Sequence, residues 1–171
     1  MTNATLPVPV RLALPEHWEQ VDPTAWGVRN AALLAVRRDL ADDYTPTITV
    51  SGDWRTDDVP VDRIADESVA KLVAEGASDV ELVKRRQVGG EHTPTVLQTI
   101  GATIEVGGRR FDLRQLQVVN ALVDVERPER RVVLIYTLSC TFGQLDAMGR
   151  EFQQVMASVE VAPPAAPGPP V

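Results

Sequence analysis

The sequence is poor in the residues that do chemistry. It has one cysteine, Cys140, and two histidines, His17 and His92. A lone cysteine forms no intrachain disulfide, so nothing points to an oxidising compartment. Two histidines and one cysteine meet no familiar zinc spacing. Histidine is the usual general base, but both lie in turn-like segments, His17 between Pro15 and Trp18 and His92 between Gly90 and Pro94. No serine or cysteine stands in a G-x-S-x-G setting. Cys140 ends an apolar run and reads as an inert core thiol. Long apolar runs are missing too: none approaches the roughly 18 residues that span a bilayer. Met1-Thr2-Asn3-Ala4-Thr5 has neither a basic nor an apolar region, which predicts no signal peptide. Together these absences predict a cytoplasmic protein with no cofactor, no metal, no catalytic residue and no stable membrane insertion.

Positive charge is also scarce. The formal net charge is -7, which repels a phosphate backbone and disfavours nucleic acid as a partner. The pairs and triplets Arg37-Arg38, Lys84-Arg85-Arg86, Arg109-Arg110 and Arg130-Arg131 are scattered and read as solvated strand edges and turns. Acidic loops exist around Asp39, Asp42 and Asp43 and around Asp57, Asp58 and Asp62. Neither has the spacing of a calcium loop.

What remains is an ordinary globular composition. The chain has 171 residues, 44% hydrophobic and 24% charged, enough for one domain with a core of its own. That domain is expected over 8–161, between a disordered N-terminus, 1–7, and a proline-rich tail, 162–171, that favours polyproline II. Val8, Val10, Leu12 and Leu14 alternate as a strand, with Pro9 suiting an edge. Ala31 to Val36 and Thr47 to Val50 read as two more strands, with Ser51-Gly52-Asp53 as a turn. Asp66 is a candidate helix cap, followed by Val69, Leu72 and Val73, with Gly76 as the stop. Strands are expected at Val80–Val88 and, apolar on both faces, at Arg131–Thr141. Leu145, Met148, Phe152, Val155, Met156 and Val159 form the apolar stripe of a terminal helix. The fold class is α+β: a mostly antiparallel sheet of about seven strands with helices packed on it.

The clearest local signal is Gly107-Gly108 between two alternating runs, a two-residue hairpin loop. It sets a register in which Val106 meets Arg109 and Thr95 meets Asn120. One face then carries Ile104 and Phe111, Ala102 and Leu113, Ile100 and Gln115, Gln98 and Gln117. Glutamines under a helix would each need a partner, at about 1–3 kcal/mol per unsatisfied group. A face open to a protein client needs no such partners, and Gln98, Ile100, Phe111, Leu113, Gln115 and Gln117 are the candidate protein-binding residues. A self-satisfied Gln98–Gln117 pair on a solvated face is the plainer explanation.

The order of elements is similar to the PsbP-like fold. Within it the chain resembles LpqN-type actinobacterial proteins and the chaperones of type VI secretion effectors. The resemblance is carried by Val10-Arg11-Leu12-Ala13-Leu14-Pro15-Glu16-His17-Trp18, by Asp66-Glu67-Ser68-Val69 and by the helix from Phe152 to Val159. It implies a non-enzymatic adaptor or chaperone; in the effector chaperones a concave sheet face shields hydrophobic helices of a client. The lipoproteins' lipid-attachment cysteine is not present here. The alternative is a helix-grip carrier or enzyme, with an enclosed apolar cavity between sheet and terminal helix. The oligomeric state stays open, a homodimer included.

Overall fold

The chain folds around one long antiparallel hairpin. In the computed structural model, which describes residues 6–162, Thr95–Val106 and Arg109–Val123 pair in the register that the glycine loop predicts, from Val106 opposite Arg109 to Thr95 opposite Asn120. Gly107 and Gly108 have φ of 57° and 80°, the left-handed pair that a type I′ turn requires.

In chain order the elements are β1 (Val10–Arg11), β2 (Glu19–Val21), β3 (Leu33–Val36), β4 (Thr47–Arg55), α1 (Val61–Ala74), β5 (Ser78–Val88), β6 (Thr95–Val106), β7 (Arg109–Val123), β8 (Arg131–Thr141), α2 (Leu145–Ser158) and β9 (Glu160–Val161). Seven of the strands make one antiparallel sheet in the order β2-β3-β4-β8-β7-β6-β5. β8 is central, as its two-sided apolar character requires. The fold is the α+β arrangement expected, with differences in its opening third.

Residues 8–14 do not join the large sheet. Val10–Arg11 pairs with Glu160–Val161 instead, and the sheet's edge is Glu19–Val21. The apolar side chains of this segment serve as a cover: Val8 is buried, with Val10, Leu12 and Leu14 packed beside it. Leu6, expected in a disordered terminus, packs on the same cluster. The rest of that terminus and most of the expected proline-rich tail lie outside the described residues.

Ser51-Gly52-Asp53 is not a turn. β4 runs through it to Arg55. A Cβ on Gly52 would stand 2.6 Å from Leu134 Cδ2 and 3.2 Å from Leu6 Cδ2, so glycine here makes room for close packing. The first helix begins at Val61, not Asp66, after an extended Pro60. Its buried face is Val61, Ile64, Ala65 and Leu72, while Val73 is exposed. Asp66 pairs with Arg85 across to β5 at 2.7 Å. Gly76, at φ 96°, follows the helix end as expected.

The two helices sit on opposite faces and over different strands. α1 packs on β5, β6 and β7 through Val61, Ile64 and Ala65 against Val96, Val119 and Ala121, and through Leu72 against Ile100 and Leu113. On the other face α2 brings Met148, Phe152 and Val155 onto Ile48, Val50, Tyr136, Leu138 and Cys140, which belong to β4 and β8. Each face therefore has one half under a helix and one half without.

Candidate functional site

The six residues selected from the hairpin lie on the α1 face. Gln98, Ile100 and Leu113 are buried there beneath the helix, and the expectation of an open face is corrected at these three. The glutamine that seemed to need a partner has a full set. Gln98 Nε2 donates to Ala65 O of α1 at 3.1 Å and to Gln117 Oε1 at 2.7 Å. Arg85 donates to Gln98 Oε1 from Nε at 3.0 Å and from Nη2 at 2.8 Å. Gln98 is therefore satisfied under a helix and not in solvent, whereas Gln117, at the edge of the helix, only accepts within the pair. Phe111 is half-buried, edge-on to Tyr44 with ring centroids 5.3 Å apart.

Gln115 and Gln117 lie beyond the helix. They form part of the floor of a cleft of about 610 Å³ over the half-face that α1 leaves vacant. The floor continues across β8 and β4 with hydroxyl side chains, and α1 makes one wall through Ser68, Lys71 and Leu72. The facing wall is the segment Gly27–Ala31, in which Gly27 and Asn30 both have positive φ. The sequence carried a trace of this site: Thr47, Thr49, Thr137 and Ser139 alternate in two strands. Without knowing that β4 and β8 are neighbours, their convergence could not be read.

The opposite face holds a second depression, of about 400 Å³, beside α2. Leu97, Leu116 and Val118 form its floor, Phe152 and Met156 one side, and Lys84 and Arg86 the other. Next to it, over the bulged part of β5, Val83 is 51% exposed. Neither Lys84 nor Arg86 has an ion pair among the described residues, whereas Arg85, pointing to the α1 face, is held by Asp66 and Gln98. The basic triplet is thus split by the pleat of β5. At the hairpin tip Arg109 bridges to Asp43.

Groups with catalytic potential lie apart. Cys140 is fully buried, and burial pushes its thiol up to about 12. His17 is exposed beside Glu16 and Asp39, and His92 is exposed in the β5–β6 loop. No group of three metal-ligating side chains occurs among the described residues. The space between α2 and the sheet, where a helix-grip carrier would hold its ligand, is filled by Met148, Phe152 and Val155. No helix among the described residues is long and apolar enough to cross a membrane.

No family model and no curated protein matches the sequence. Solved structures do match the fold. LpqN, involved in cell envelope biogenesis of Mycobacterium tuberculosis, superposes with a TM-score of 0.60 at 13% identity over 90% of this chain and 83% of its own. Cyanobacterial PsbP (CyanoP) of Synechocystis sp. PCC 6803 gives 0.55 at 12% identity, covering 95% of this chain and 97% of its own. A Pseudomonas aeruginosa protein of unknown function, PA94, gives 0.50 at 19% identity, covering 86% of this chain and 99% of its own. The chain has a PsbP-like fold and resembles LpqN-type proteins.

Proposed function

We propose that the chain is a non-enzymatic protein-binding module, an adaptor or chaperone for a secreted client, and that the groove beside α2 takes one amphipathic helix of that client. The observation that carries this is the strip of sheet from β5 across β6 to β7 beside α2. Strands lie about 4.8 Å apart and a helix with its side chains is about 10–12 Å wide, so the two spacings from β5 to β7 offer about the width of one helix. Leu97, Leu116 and Val118 supply an apolar floor already bounded by Phe152 and Met156. In a chain of net charge -7, the free cations Lys84 and Arg86 select a helix with acidic residues along one flank. The resemblance of the sequence, in its order of elements, to the chaperones of type VI secretion effectors supports the same reading.

The test uses two synthetic helical peptides with the same leucine-rich face, one flanked by glutamates and one by lysines, titrated into the full chain by fluorescence anisotropy. The acidic peptide should bind at least about tenfold more tightly, a difference of ~1.4 kcal/mol. The double variant K84E/R86E, altered only at exposed positions, should reverse that preference. Equal affinity for both peptides, or a preference the double variant leaves alone, rules the reading out.

A further inference from the structure

The cleft on the α1 face has the opposite chemistry to the groove. Its floor is two cross-strand rows in register: Thr47, Ser139 and Gln115, then Thr49, Thr137 and Gln117. Threonine suits a strand, but valine suits it equally and brings no hydroxyl to satisfy. Gln115 Nε2 donates to Ser139 Oγ at 3.1 Å. The others are less well served. Thr137 is 9% exposed and Gln117 6%, yet the Thr137 hydroxyl and the Gln117 Nε2 have no hydrogen-bond partner among the described residues, nor do the hydroxyls of Thr47 and Thr49. A partly satisfied polar network weakens a fold relative to an apolar surface. Thr137 and Gln117 are each about nine-tenths buried as residues, and their unpartnered polar atoms open only onto solvent and line one cleft, where a ligand can supply the partners.

The ligand's character follows from the floor. The six side chains offer donors and acceptors mixed together, and none carries a formal charge. An anion is bound by donors alone and a hard cation by oxygen acceptors, carboxylates above all. An apolar ligand would leave the hydroxyls unpaired. A molecule rich in hydroxyl groups matches, because each of its hydroxyls both donates and accepts. Leu72 and Ile135, also in the cleft, can meet the C–H surface of such a molecule. On the α1 wall Lys71 and Glu75 pair with each other at 3.8 Å, and the exposed Arg29 of the facing wall, without an ion pair among the described residues, is the one other charged side chain of the lining, so formal charge stays at the rim and off the floor. The volume of about 610 Å³ lies within the range of small-molecule sites, about 300–1,000 Å³. We infer that this cleft binds a neutral polyhydroxylated small molecule, of the size of a mono- or disaccharide, through the Thr49–Thr137–Gln117 row. The inference does not depend on the protein-binding groove.

The experiment is an NMR titration of the isotope-labelled full chain with maltose and with myo-inositol, beside sodium sulfate and sodium decanoate. At least one polyol should give saturable shifts at the amides of Thr49, Thr137 and Gln117, and sulfate and decanoate should not. The double variant Thr49→Val with Thr137→Val should weaken that binding at least about tenfold, while its melting temperature without ligand holds or rises. K84E/R86E, on the other face, should bind the polyol as the parent chain does. Failure of both polyols to saturate the cleft overturns the assignment, as does saturation by sulfate or decanoate instead. Unchanged affinity in the valine variant overturns it, and so does a fall in that variant's unliganded melting temperature, which would make the hydroxyls structural.

Discussion

Gln98 shows how one residue can change its meaning once its neighbours are known. From the sequence it is an amide on an apolar face, a natural candidate for a partner surface. In the fold it ties α1, β5 and β7 together through Ala65 O, Arg85 and Gln117. Gln98→Ala should therefore destabilise the fold by about 1–3 kcal/mol, since it strands buried groups, and should leave peptide binding in the α2 groove unchanged. Urea denaturation with the anisotropy titration checks both. Cys140 behaves as its setting in the sequence suggests: buried, with its ionisation suppressed to about 12. It should react with a thiol reagent such as DTNB only as fast as the chain unfolds. Asp57 is a different case. Hydrogen bonds from Arg55 and Arg131 hold its carboxyl down to about 2, below the unfolded value of about 3.9. Its contribution is present above the unfolded pKa and is lost as pH falls towards 2. The parent chain should lose stability across that window, and Asp57→Asn should lose less, as followed by thermal melts at several pH values.

At the scale of elements, what could be read depended on whether the signal was local. The β6–β7 hairpin was fully legible because two glycines and strict alternation determine both turn and register. β8 and α2 were legible from their apolar patterns. The opening third was not. Val8 to Leu14 has the alternation of a sheet strand, but such a pattern does not say which surface the segment will cover. Gly52 looks like a turn residue until Leu134 and Leu6 are seen against it. The polar cleft is not legible from local pattern for a related reason: its rows are formed by strands far apart in sequence, β4, β8 and β7. One junction is easily tested. Gln144 accepts a hydrogen bond from Thr141 N at 3.0 Å and donates to Asp42 Oδ2 at 3.1 Å and Tyr44 O at 2.9 Å. It thereby joins the start of α2 to the β3–β4 loop. Gln144→Ala should cost about 1–3 kcal/mol and raise hydrogen exchange across residues 40–46 along with the first turn of α2.

Viewed whole, the molecule is a sheet with two helices in diagonally opposite positions. Each helix leaves half a face uncovered, and the two remainders differ in kind: hydroxyls and amides beside α1, aliphatic side chains and two free cations beside α2. The half proposed to take a helix lies on the opposite side of the sheet from the glutamines. Binding in the α2 groove should weaken as salt rises, because Lys84 and Arg86 act at the surface. Polyol binding in the cleft should be nearly insensitive to salt. Repeating both titrations at low and high ionic strength separates the two sites without any substitution.

β7 is common to both. Gln115 and Gln117 face the cleft, while Leu116 and Val118, alternating with them, face the groove. A single strand is the partition between two chambers. Whatever shifts that partition from one side alters the fit on the other, and the exchange must be even-handed: if a helix in the groove tightens the cleft for its small molecule by some factor, the small molecule tightens the groove for the helix by the same factor. Measuring each affinity with the other site filled would show whether the wall is rigid or whether this sheet carries a message through its own thickness.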